Sequence, residues 1–236
     1  MTFINKNKTK YKDAFMVSLP LIIGYFPVAM AFGLLSKNTS ISFRDTSLLS
    51  IIVFAGASQF MALDLIAAGV SSGNIIIATF LLNLRHLVMS ASLAPEFKEI
   101  PRKYLPLVSF AITDESFSVY SFNKDKISLP FVLIVNGLSY SSWVIGTMAG
   151  YAVGEILPSS LQASMGIGLY AMFAALLSPE LGRSKKILHI SILSSLIYLA
   201  LFYSKLFSSG WDLIIAIILS SALAVAIFDR RGGKYE

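Results

Sequence analysis

Four ionisable residues stand where an apolar chain ought to have none. Arg85 and His86 lie inside an apolar run from about 74 to 94, and Asp114 and Glu115 inside another from about 104 to 122. Runs of that length span a bilayer. A cation at mid-membrane costs roughly 2.5 to 3.5 kcal/mol on insertion scales, so it normally faces a polar cavity or a partner and not lipid. Arg85 lies nine residues before Ala94, and Asp114 ten after Tyr104. With a rise of 1.5 Å per residue both fall about 14 Å from the loop joining two antiparallel spans, at a depth where they can pair. Neighbours on a helix diverge by about 100°, so Asp114 and Glu115 cannot both face Arg85, nor can Arg85 and His86 both face one partner. One acid and the imidazole are left over, and such groups suit proton uptake and release. A structural ion pair between helices is the plainer reading, but it uses only two of the four groups.

These residues need a membrane-embedded scaffold. The 236 residues are 56% hydrophobic with a mean hydropathy of +0.73, too apolar for a soluble domain. We read an all-α polytopic transmembrane helical bundle, a single integral membrane domain over 1–236, with a basic cytoplasmic tail at 1–14 and a basic C-terminal tail at 229–236. Eight apolar segments follow one another, at about 15–35, 47–70, 74–94, 104–122, 128–153, 161–178, 186–204 and 211–228. The fourth is the most polar; if it is re-entrant or broken, seven spans remain. Of 19 Lys and Arg, 12 fall on the side holding both termini and 6 on the other, Arg85 being the last. The positive-inside rule therefore puts both termini in the cytoplasm. The net charge of +6 is thus an orientation signal beside apolar runs and not a nucleic-acid-binding face. The basic start before the first apolar run imitates a secretory signal, but the run continues past Ala29-Met30-Ala31 to Leu35 and reads as a first membrane helix.

Further polar or helix-breaking positions fall mid-span. Pro27 in Gly24-Tyr25-Phe26-Pro27 cannot donate to the Ile23 carbonyl, so segment one is expected to kink or break there, freeing a carbonyl for substrate or for packing. Phe54-Ala55-Gly56-Ala57-Ser58-Gln59-Phe60 in segment two joins small residues to two hydrogen-bonding side chains, a pattern of binding sites and of interhelical glue alike. Asp64 lies nearer the end of that segment and is expected at the interface. Gly146 and Gly150 in segment five predict tight helix packing. Gly166-Ile167-Gly168 hints at a repeat of segment two, and His189 is read as interfacial.

No Walker lysine motif is present, and the absence of cysteine with two histidines far apart argues against a catalytic metal; no cofactor is expected. An intramembrane hydrolase would need Ser90 or Ser92 activated by His86, yet no elbow motif surrounds either serine. The chain is therefore not read as an enzyme.

In this order, Gly24-x-x-Pro27 leading to Phe32-Gly33, the 54–60 block, Asn83-x-Arg85-His86 running to Leu93-x-Pro95, and Thr113-Asp114-Glu115 make the sequence similar to the AzlC family, the large subunit of bacterial branched-chain amino acid exporters. The resemblance covers nearly the whole chain, more loosely in its second half. It implies a multi-pass plasma-membrane permease that works with a small AzlD-type membrane subunit and exports valine, leucine, isoleucine or analogues, driven by the proton gradient. The residues themselves add a mechanism to that resemblance: Gly24, Pro27, Ser58, Gln59 and Asn83 would line the substrate site, while in the charge cluster of Arg85, His86, Asp114 and Glu115 the arginine would neutralise Asp114 and either His86 or Glu115 would carry the coupling proton. A passive pore, a non-transporting membrane partner, or a transporter of another small amino acid would share the same spans.

Overall fold

In the computed structural model the residues described are 2–158, scattered positions between 160 and 182, 184–207 and 211–229. Among them all regular structure is helical: α1 (Thr2–Asn38), α2 (Phe43–Ile52), α3 (Gly56–Ala67), α4 (Ser72–Leu93), α5 (Leu105–Phe110), α6 (Asp114–Phe122), α7 (Leu129–Val153), α8 (Lys185–Ser204) and α9 (Trp211–Asp229). Among the described residues four helices are long and apolar enough to cross a membrane: Tyr11–Asn38 of α1, α4, α7 and α8. They answer to segments one, three, five and seven, and α9 answers to segment eight. Gly166 and Gly168 of segment six lie outside the described residues.

Segment two departs from the expectation of a single span, and segment four takes the broken form left open for it. Each is two short helices meeting at a non-helical break, α2 and α3 around Phe54, α5 and α6 around Ile112. The break anticipated at Pro27 is absent, because α1 runs without interruption through Pro20 and Pro27. Transmembrane helices tolerate proline where neighbours supply hydrogen-bond partners, and here the Ser142 hydroxyl of α7 donates at 3.0 Å to the Ile22 carbonyl, next to the Ile23 carbonyl that Pro27 frees. The helix also starts well inside the basic tail, at Thr2.

By its internal contacts the chain forms two compact units, residues 1–63 with 83–170, and 64–82 with 171–236. In the second, α8 and α9 pack side by side. In the first, α1 lies along α7 at backbone contact distance. A Cβ on Gly150 would fall on the Met30 carbonyl and one on Gly33 on the Thr147 carbonyl, so these glycines set how closely the two helices approach. Around this pair, Leu93, Phe97, Val108, Ile112, Tyr120, Phe131 and Val135 make a buried core that holds α5 and α6 in place.

Candidate functional site

The first break begins where the chain turns left-handed. Phe54 has φ of +43°, a conformation that costs a side-chain-bearing residue roughly 1–2 kcal/mol. Burial of its ring offsets this: Phe54 is 2% exposed, edge-on to Tyr140 at 5.2 Å and close to Tyr25 at 6.3 Å. The backbone groups released by the break are taken up by side chains. Tyr140 donates to the Ile51 carbonyl at 2.9 Å. Gln59 Oε1 accepts from the Ala55 N–H at 3.2 Å and from Trp143 Nε1 at 3.1 Å, while its Nε2 donates to Ser50 Oγ, which meets Thr147 Oγ1 at 2.8 Å. Gly56 is needed here because a Cβ would run into the Trp143 indole at 2.6 Å.

The second break is a helix start. Thr113, in extended backbone, caps α6 through a reciprocal box: its Oγ1 accepts from the Ser116 N–H, and Ser116 Oγ accepts from the Thr113 N–H. Asp114 and Glu115 therefore occupy the first turn of a half-helix, where the helix dipole favours negative charge. Asp114 Oδ2 pairs with Arg85 Nη1 at 3.0 Å, both side chains 29% exposed. Glu115 points elsewhere: Tyr25 Oη donates to its Oε2 at 2.5 Å and meets Thr113 Oγ1 at 2.5 Å.

One turn of α4 touches both breaks. Asn83 Nδ2 donates to Ser58 Oγ at 3.1 Å, and Ser58 in turn donates to the Ala55 carbonyl at the first break. His86 Nδ1 donates to the Ile112 carbonyl of the second break at 2.9 Å. Because a carbonyl only accepts, the proton of a neutral ring sits on Nδ1 and Nε2 is left as an acceptor. Asn83 Oδ1, Arg85 Nε and His86 Nε2 are buried without a hydrogen-bond partner.

Seven of the nine expected site residues thus come together: Ser58, Gln59, Asn83, Arg85, His86, Asp114 and Glu115. Gly24 and Pro27 are exposed on α1, and the residue of α1 that reaches the cluster is Tyr25, 3% exposed. Sequence reasoning passed over Tyr25 and left Trp143 to the scaffold. The available signal was a hydroxyl-tipped aromatic one residue after Gly24, in the middle of an apolar span. Among the described residues no group of His, Asp and Glu has the arrangement of a metal site. Beside the second break an apolar cavity of about 240 Å³ opens between α5 and α7, lined by Leu107, Phe110, Ala111, Leu133, Gly137 and Tyr140, with Asn136. The polar groups at its edge are already occupied: Asn136 donates to the Val108 carbonyl and accepts from Tyr120, and Tyr140 donates to Ile51.

Comparison with known proteins agrees with this core. The AzlC protein family matches residues 20–157, which hold both breaks and every site residue. An uncharacterized membrane protein of Archaeoglobus fulgidus is 31% identical over 215 residues, 86% of this chain and 95% of its own length. One from Helicobacter pylori strain 26695 is 28% identical over 94% of this chain and 96% of its own. The Bacillus subtilis branched-chain amino acid transport protein AzlC is 25% identical over 83% of this chain and 78% of its own. No solved structure matches. With half the chain and more covered by the family match, and with membrane-spanning helices to carry it, this protein is a multi-pass membrane protein of the AzlC family.

Proposed function

We propose that the chain is a secondary transporter that exports branched-chain amino acids across the bacterial plasma membrane, proton-coupled and working with a small AzlD-type membrane subunit. Both termini face the cytoplasm in this reading. The observation that carries it is the unpartnered set on α4. Asn83 Oδ1 and the His86 Nε2 acceptor share a face by their three-residue spacing and suit the ammonium of an amino acid. The α3 N-terminus adds a field that favours the carboxylate, since its first turn holds no acidic residue. The aliphatic side chain takes the apolar cavity beside Ala111, whose polar rim is already satisfied.

Discontinuous helices meeting at a site are a recurrent device of secondary transporters. The α4 atoms are shielded from solvent, so substrate entry requires the half-helices to part. Arg85 neutralises Asp114, leaving Glu115 as the group that takes up and gives off the coupling proton. The relative from B. subtilis named for branched-chain amino acid transport supports the substrate class. The test is efflux of preloaded labelled leucine, valine and histidine from cells making the chain with and without its small partner, before and after collapse of the proton gradient. Gradient-dependent release of the branched amino acids is expected only with both subunits. Release that ignores the gradient, or none for any amino acid, refutes the reading.

A further inference from the structure

Building on the proton-coupled exporter reading above, we propose that Tyr25 is the positioning residue that carries the protonation of Glu115 to the α5–α6 break, through a string of hydroxyl groups that reverses direction. The string is Glu115 Oε2 to Tyr25 Oη at 2.5 Å, Tyr25 Oη to Thr113 Oγ1 at 2.5 Å, Thr113 Oγ1 to Ser116 Oγ at 3.4 Å, and Ser116 Oγ to the Ala111 carbonyl at 3.3 Å. It starts at the acid that no cation pairs and ends on backbone at the break.

Each hydroxyl has one hydrogen, so the string has two orientations. When Glu115 is ionised, Tyr25 donates to the carboxylate and the Thr113 hydroxyl donates to Tyr25 Oη. When Glu115 gains a proton, its carboxyl O–H donates to Tyr25 Oη, Tyr25 turns its hydrogen to Thr113 Oγ1, and the Thr113 hydrogen turns to Ser116 Oγ. One proton is added, at Glu115, and no other O–H bond is made or broken. In the second orientation Thr113 Oγ1, which caps α6 by accepting from the Ser116 N–H, accepts a second bond from Tyr25. The helix start is therefore held differently in the two states.

Tyr25 is suited to this task in a way that a free hydroxyl is not. Its ring is held edge-on by Trp143 at 5.6 Å and Phe54 at 6.3 Å. Those two contacts tie it to the first break, because Phe54 is the left-handed residue there and Trp143 donates to the Gln59 amide that closes it. One side chain thus touches both breaks from α1, as Asn83 and His86 do from α4. The other titratable groups around Glu115 are Asp114 on its own helix, occupied by Arg85 of α4, and His86, held on the Ile112 carbonyl.

Tyr25→Phe keeps the ring and removes the string. In liposomes holding the chain and its small subunit, two rates are compared: leucine counterflow, which needs no net proton movement, and net leucine transport driven by an imposed pH gradient. Tyr25→Phe is expected to keep counterflow within about twofold and to lose gradient-driven transport by about tenfold or more, with a flattened dependence on pH. Thr113→Ser, which keeps a hydroxyl, should stay coupled, and Thr113→Val should behave like Tyr25→Phe. Coupled transport with an unchanged pH profile in Tyr25→Phe overturns the inference alone. So does an equal fall in both rates in Tyr25→Phe together with uncoupling in Thr113→Ser, which assigns the two residues to packing. A wild-type protein whose transport ignores the gradient overturns the exporter reading, and this inference with it.

Discussion

Replacing Gln59 by leucine tests whether one amide holds the first break together. Gln59 is 2% exposed, and its oxygen is the partner of two donors that have no other: the Ala55 N–H and Trp143 Nε1–H. Leucine is close in size, so little of the effect comes from a cavity. Interhelical hydrogen bonds in membranes average only about 0.6 kcal/mol, because an unfolded chain in lipid also finds partners. A stranded buried donor is another matter, costing about 1–3 kcal/mol. Two of them, taken at the lower end because membrane reference states soften such penalties, give a loss of about 2–4 kcal/mol. The Gln59→Glu variant in its neutral form keeps an acceptor for both donors and a hydroxyl to donate to Ser50, so a loss within about 1 kcal/mol is expected. The assay is equilibrium unfolding of purified protein by SDS in mixed micelles, with leucine transport measured on the same samples. A Gln59→Leu protein within about 0.5 kcal/mol of wild type would refute the assignment.

Arg85→Gln and Asp114→Asn should each lower folded yield and leucine transport more than the double variant does, since either alone strands a charge within the membrane. A double-mutant cycle with a coupling energy below about 0.5 kcal/mol would show the pair to be incidental. Gly137 lines the apolar cavity, and a Cβ there meets nothing within 4 Å. Gly137→Val should therefore fold normally while cutting transport of leucine relative to alanine by about tenfold, the scale of one or two methylenes in a pocket. Unchanged discrimination in a competition assay would place the substrate side chain elsewhere.

The long spans were legible because length and apolarity suffice: segments three, five and seven fall within two residues of α4, α7 and α8. The depth match of Arg85 with Asp114 was legible for the same reason, since rise per residue fixes it. The second break was half visible. Its polar stretch was noticed, while the capping pattern Thr113-x-x-Ser116 that makes it a helix start was not used. The first break was invisible, because its left-handed residue is phenylalanine, which local propensity never places there. Packing against Tyr140 and Tyr25 decides it, and those partners are far away in sequence. Pro27 misled for the converse reason. Proline predicts a break locally, but α7 lies against α1 and Ser142 supplies a bond beside the freed carbonyl.

The dependence of the first break on α7 has a consequence for biogenesis. Ser50, Ile51 and Gln59 find their partners in Thr147, Tyr140 and Trp143, which lie 97, 89 and 84 residues further along the chain. When the ribosome delivers segment two to the bilayer, none of those partners has been made. An opened backbone in lipid would leave the Ile51 carbonyl without Tyr140 and Gln59 without the Trp143 indole that holds it, so the segment is expected to enter as an unbroken helix and to open once α7 arrives. Assembly of this protein is then expected to include a late remodelling of a span already inserted, and chains ending before residue 129 should carry segment two in a form that the finished molecule no longer contains.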